Sequence, residues 1–212
     1  MADYTAFVEA GNALVEMLRD KLTPEPLGDR ESISLCSPHD NGNNQLTIYL
    51  YQVEEEAPQN NVGYYQADRN TQRIRPAQFV MRYLVTAHSK APGQLKEADQ
   101  HRLIGAVVQT LRDNPMIPSK YLSGSSAEEG AQFHVAIEKT SMEQILKIWN
   151  NTTKEYKLSL VVALTGASIN SGRTRQISRV TDAAINAQER EAALEILGAD
   201  DGAQRRGTGG GV

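Results

Sequence analysis

Apolar residues recur along this chain in two periods, and the switches between them mark out the elements. Phe7, Leu14, Leu18 and Leu22 fall at helical spacing, with Val8 and Val15 widening the stripe. Pro24 and Pro26 stop that helix, because proline has no amide hydrogen to give to the next turn. A short strand is predicted at 33–36, then turn chemistry at Pro38-His39-Asp40-Asn41-Gly42. In the strand predicted at 46–53, Ile48 and Leu50 alternate with Tyr49, Tyr51 and Val53. Further on, Phe79, Met81, Tyr83 and Val85 alternate with Val80, Arg82 and Leu84. Apolar residues on both faces predict a central strand covered on both sides. After Pro92-Gly93 comes the clearest helical stripe, Leu103, Ile104, Val107, Val108 and Leu111, which Asp113-Asn114-Pro115 ends.

The second half repeats the theme. Phe133, Val135 and Ile137 alternate with Gln132, His134 and Glu138, as in an amphipathic strand. Ser141-Met142-Glu143-Gln144 has the form of a capping box, with Ile145, Leu146 and Trp149 as the buried face of the helix behind it. Tyr156, Leu158, Leu160, Val162 and Leu164 then line one face of a long strand, with Val161 and Ala163 on the other. Two stretches carry no period, 54–75 and 119–130, and both read as polar loops. Beyond Gly166 the segment bearing Arg173, Arg175, Ile177, Arg179 and Val180 reads as an outlying strand or extended arm. Residues 183–197 read as an Ala- and Glu-rich helix, and 199–212 as a disordered tail.

These elements predict an α/β (α+β) core domain over 1–167, an arm and helix over 168–198, and a tail over 199–212. The natural packing is a mixed, mostly antiparallel sheet flanked by helices.

Composition narrows the function classes. The 212 residues carry a formal charge of −4, with a pI near 5.6, which disfavours a dedicated nucleic-acid binder. The single cysteine, Cys36, rules out an intramolecular disulfide framework and fits a reducing cytoplasm. No basic n-region precedes an apolar core at the start, and no stretch approaches a membrane span of roughly 20 apolar residues.

The chemistry of catalysis is hard to find. His39, His88, His101 and His134 have neither HExxH spacing nor a cysteine partner in a ligand motif. There is no phosphate-binding GxxxxGK[ST] loop, no GxGxxG and no GxSxG elbow, and the Gly-Ser stretch at 123–126 reads as loop. Cys36 reads as a buried small residue rather than a nucleophile. Glu54-Glu55-Glu56 reads as a solvated acidic turn. No enzyme activity, cofactor or metal is therefore expected. What remains is surface: Tyr64 and Tyr65 in the 54–75 loop, and three arginines, Arg173, Arg175 and Arg179, whose even spacing puts them on one side of a strand.

Several pieces in order carry a family resemblance. They are the N-terminal helix, LTIYLYQVEE, RYLVTAHS before HRLIGAVVQTLRDNP, and EQILKIWNNTTKEYKLSLVVALT. Ile104-Gly105, Ile148-Trp149 and Tyr156-Lys157-Leu158-Ser159 stand where the family shows a Leu-Gly, an Ile-Trp and a Tyr-Leu-Ser strand. From Met1 to about Leu164 the chain resembles the cap, or tube-terminator, proteins of phage-tail-like contractile injection systems, similar in role to contractile phage tail terminators. The resemblance implies a homohexameric ring that ends the inner tube and connects to the terminal sheath layer. Its partners would be itself, the inner tube protein and the sheath protein, with no nucleic acid and no membrane. Such a protein is made in the bacterial cytoplasm and carried in the assembled particle.

The candidate contacts follow from that implication. Tyr64, Tyr65, Arg69 and Arg73, with the 119–130 loop, would face the tube or a neighbouring subunit. Arg173, Arg175, Ile177, Arg179 and Val180 would face the sheath. The competing classes are a small α/β enzyme or ligand-binding domain without a recognisable motif, a phage tail completion protein, and an adaptor that binds a peptide along a sheet edge.

Overall fold

The computed structural model describes residues 4–56, 63–149 and 155–177. The chain divides into a unit of residues 1–175 and a second of residues 176–212. The first unit is built on two sheets. The larger has five strands in the order β1-β2-β5-β7-β6. These are β1 (Ile33–Leu35), β2 (Leu46–Glu55), β5 (Ala77–Ala87), β6 (His134–Glu138) and β7 (Ser159–Ile169). β1 runs parallel to β2, and every other pair is antiparallel. The sheet is thus mixed and mostly antiparallel, as the alternation predicts.

Helices cover both faces. On one lie α1 (Ala6–Leu22) and α2 (Lys96–Asp113), whose Leu14, Met17, Leu18, Leu103, Val107 and Leu111 are buried against Ile48, Met81, Tyr83, Val85, Val162 and Leu164. On the other lies α4 (Met142–Trp149), where Ile145 and Trp149 close over Leu84 and Val161. β5 therefore has the two-sided cover that its apolar pattern demands. Val8 departs from the expected stripe and is 53% exposed; α1 turns it away from the sheet. Ile137 is 40% exposed, near the end of the edge strand β6.

Two irregularities set which side chains face the core. Leu50 pairs with Tyr83 but Gln52 pairs with Arg82, so Tyr51 is an extra residue. The alternation resets there, and Val53 comes opposite Met81 on the main-core face. It does not share a face with Tyr49, as strict alternation predicts. On β7, Leu164 pairs with Met81 and Ala167 with Phe79, leaving Thr165 and Gly166 opposite one residue. Gly166 has φ +91°, and a Cβ there would lie 2.1 Å from the Gln132 carbonyl oxygen. Only glycine meets both conditions without displacing the backbone. Beyond this bulge Ala167 is again core-facing.

The face under α4 also carries charge. Arg82 on β5 reaches across β7 to Glu138 on β6 (2.7 Å) and pairs with Glu54 on β2. Ala163, opposite Arg82, and Ala136, opposite Ala163, leave room for the long side chain to pass. The two carboxylates hold Arg82 firmly charged.

The stretches expected to be loops carry structure. Tyr64–Asp68 (β3) and Thr71–Ile74 (β4) form an antiparallel hairpin, and β8 (Thr174–Gln176) completes a three-stranded sheet in the order β3-β4-β8. Within 119–130 a turn at Ser119–Tyr121 leads to the short helix α3 (Gly124–Glu128). Both are tied to α1. Lys120 and Tyr121 contact Asp20, while the Glu9 carboxylate accepts from the Ser126 amide (2.8 Å) and hydroxyl (2.6 Å), and from Ser125. Glu9 thus caps a helix more than a hundred residues away. Burial pushes its carboxyl up, but hydrogen bonds from Ser126, Thr5 and Ser125 outweigh that and hold it down at about 2. The capping box before α4 is present: the Gln144 amide donates to Ser141 Oγ (3.3 Å) and Gln144 Oε1 accepts from the Ser141 amide (3.3 Å).

Candidate functional site

Members of both sets of surface residues singled out by sequence lie on or beside the small sheet. Tyr64 and Tyr65 lie on β3, Arg69 in the turn after it, Arg73 on β4 and Arg175 on β8. Arg173 immediately precedes β8. Strand alternation divides the first set. Tyr65 pairs with Arg73, so these two share a face, while Tyr64 pairs with Ile74 on the opposite face. Tyr64 is 46% exposed and Tyr65 36%. Arg69, Arg173 and Arg175 are exposed, Arg73 and Ile177 half-buried. Arg179, Val180, the predicted helix at 183–197 and the predicted tail lie outside the described residues.

This arrangement suits recognition rather than reaction. Tyrosines combine a broad apolar ring with a hydroxyl, and arginines offer a planar fork of donors, the side chains favoured where protein surfaces meet. None of the three short strands has a residue in the buried class. The hairpin is joined by backbone pairing, and Tyr64, Tyr65 and Arg69 are exposed on it.

A second place where chemistry gathers is the end of β5. His88 is buried, with Thr47 Oγ1 2.9 Å from its Nε2 and Lys157 Nζ 2.8 Å from its Nδ1. An ammonium only donates, so Nδ1 accepts and Nε2 carries the hydrogen, donating it to Thr47. A hydroxyl beside an imidazole invites comparison with a nucleophile and its base. The geometry argues against that role. Thr47 is fully buried, and the group orienting the imidazole is a cation, where a base needs a carboxylate to stabilise its imidazolium. Cys36 is half-buried, not buried as expected; its Sγ lies 3.3 Å from Ser34 Oγ and 3.5 Å from Asn44 Nδ2. Among the described residues no group of three or more His, Cys, Asp or Glu is placed to hold a metal ion. No described helix is long and apolar enough to cross a membrane.

The model of the Pvc16 N-terminal domain matches residues 9–182, most of the chain. The chain belongs to the Pvc16 N-terminal domain family. Solved structures with the same fold agree with this membership. One is the sheath/tube terminator, in its extended state, of an extracellular contractile injection system, PVC. It is 19% identical with a TM-score of 0.55, over 92% of this chain and 71% of that one. Another is the anti-feeding prophage cap, a tube terminating cap, 16% identical with a TM-score of 0.54, over 92% of this chain and 70% of that one. A search of curated protein sequences finds no match.

No sequence signal identified the Glu9 cap on α3, since its partners are remote in the chain. The β3-β4 hairpin left a faint one in Asp68-Arg69-Asn70, a turn between two short polar runs.

Proposed function

We propose that this chain is the cap of a contractile, phage-tail-like injection particle. It forms a homohexameric ring on the last layer of the inner tube, ends tube growth and joins the terminal sheath layer. The observation that carries this reading is the family match over residues 9–182, in a fold shared with a sheath/tube terminator and a tube terminating cap. The chemistry is consistent with it. The work is done by complementary surfaces, and a ring follows when a head-to-tail interface closes by rotation. No reaction is involved.

The small sheet supplies the candidate contacts. Tyr64, Tyr65, Arg69 and Arg73 face the tube or a neighbouring subunit, and the 119–130 segment, with exposed Glu128 and Glu129, assists. Arg173, Arg175, Ile177, Arg179 and Val180 face the sheath. Arginine forks pair bidentately with carboxylates, so the sheath surface they meet is acidic.

The test is the mass of the purified protein by light scattering, alone and with its inner tube protein. A hexamer in either sample supports the ring. A strict monomer that ignores the tube protein overturns it. Deletion of residues 173–212 separates the two contacts. It removes β8 along with the arginines, and it leaves a folded core with weakened sheath attachment. Unchanged particle assembly after that deletion refutes the assignment of the arginine segment.

A further inference from the structure

A hollow of about 260 Å³ lies where the 41–44 turn, the residues after β5 and the first turns of α2 meet. Three lysines line it, Lys90, Lys96 and Lys157, together with His88, Ser89 and Gln100 and the asparagine-rich turn. Among the described residues that line it there is no carboxylate. Three ammonium groups around one small volume repel one another, and an anion between them relieves that repulsion. The gathering is notable in a chain whose formal charge is −4.

The walls are built before any ligand arrives. The Asn44 amide donates to the Asn41 carbonyl (2.8 Å), which closes the turn, and the His88 amide donates to the Gln45 carbonyl (2.8 Å). Ser89 Oγ accepts from the Ala91 amide (3.0 Å) and donates to Asp99 (2.6 Å), fixing the path from β5 into α2. Lys157 is held by His88, which is neutral in that hydrogen bond, so the positive charge facing the hollow comes from the lysines. Asp99, the acid that Ser89 holds, is also engaged by Arg102 (3.0 Å). The ammonium groups, with the side-chain amides of Asn43 and Gln100 beside them, are donors of the kind a compact oxyanion requires.

We propose that this hollow is an anion-binding site that takes a single phosphate or carboxylate group. The inference goes beyond the cap reading and does not depend on it.

The full chain, labelled with nitrogen-15, is titrated with inorganic phosphate at constant ionic strength and pH while amide shifts are followed. Saturable shifts are expected at 41–44, 88–90 and 96–100. The exposed pair Lys90→Gln/Lys96→Gln keeps the fold, as the same spectra report, and is expected to weaken binding by about tenfold. Lys139→Gln, an exposed lysine outside the hollow, is expected to bind as the parent does. A parallel titration with succinate tells the two oxyanions apart, tighter binding of either naming the ligand group and sustaining the site. Shifts that never saturate with either anion overturn the proposal, and so does a loss in Lys139→Gln equal to that of the double variant.

Discussion

The two sheets of this domain are built on opposite principles. In the five-stranded sheet the central strand has Met81, Tyr83, Leu84 and Val85 buried between helices on both faces. In the three-stranded sheet no residue falls in the buried class, and its tyrosines stand in solvent. Burial of apolar area stabilises the first by roughly 1.5–3 kcal/mol per large side chain. The second has little such term and is ordered mainly by its backbone ladder. A sheet that does not need its side chains for folding can spend them on a partner. The contrast therefore predicts that changes in the large sheet are read as stability, and changes in the small sheet as assembly.

The largest expected effect is in the core. Leu18 is fully buried at the centre of the α1 face. Leu18→Ala removes its methyl contacts and leaves a cavity, for an expected loss of about 3 kcal/mol in chemical denaturation. A loss below about 1 kcal/mol would mean that α1 is not what the sheet folds against.

Gly166 comes next. A methyl at this position meets the Gln132 carbonyl and demands φ +91° of a non-glycine residue. Gly166→Ala is expected to cost about 2 kcal/mol by thermal unfolding, most of it strain at the bulge. Gly172 has nothing within 4 Å of such a methyl and no unusual φ, so Gly172→Ala serves as the neutral control. Equal stability of the two variants would remove the bulge from the account of how β7 returns Ala167 to the core.

Glu9 sharpens the comparison at intermediate magnitude, because it ties a surface segment to the core. Its folded pKa, about 2, lies below its ordinary 4.5. A depressed carboxyl contributes stability that is fully present above the ordinary value and is lost as pH falls toward 2. Glu9→Gln is expected to cost about 1 kcal/mol at neutral pH, discounted because the group is only half-buried. It should also flatten the acid limb of the stability profile between pH 4.5 and about 2. An acid limb unchanged by the substitution would show that Glu9 is not what holds α3.

Much of the large sheet was legible because its elements obey a period. The two-sided run 79–85, the stripe from Leu103 to Leu111 and the Ser141-Gln144 box each announce local structure that burial then reinforces. What escaped had physical reasons. Val53 was assigned to the wrong face because alternation assumes an unbroken ladder, and an extra residue at Tyr51 resets it. The β3-β4 hairpin escaped because YYQAD and TQRI have no buried face, and periodicity registers only where one face is dry. α3 escaped because its cap is Glu9, contributed by a helix more than a hundred residues earlier in the chain. The candidate contacts were picked out by residue type alone. Residue type singles out Tyr64, Tyr65, Arg73 and Arg175, but their gathering on one small sheet comes from pairing between strands far apart in the chain.

The smallest expected effect on stability carries the most about function. Tyr65 shares a face with Arg73, and Tyr64 lies on the other face with Ile74. Tyr65→Ser and Tyr64→Ser should each change unfolding free energy by less than about 0.5 kcal/mol, because neither ring packs into a buried cluster. Their effects on assembly should differ. A partner seated on one face of the hairpin loses a ring at its centre from one substitution and almost nothing from the other, since buried aromatic anchors dominate such interfaces. Binding to the inner tube protein, measured for both variants, should fall at least tenfold for one and stay within about twofold for the other. The variant that fails names the face that meets the tube. If neither fails, the hairpin is not the tube contact, and the search moves to the segment 119–130 pinned against α1.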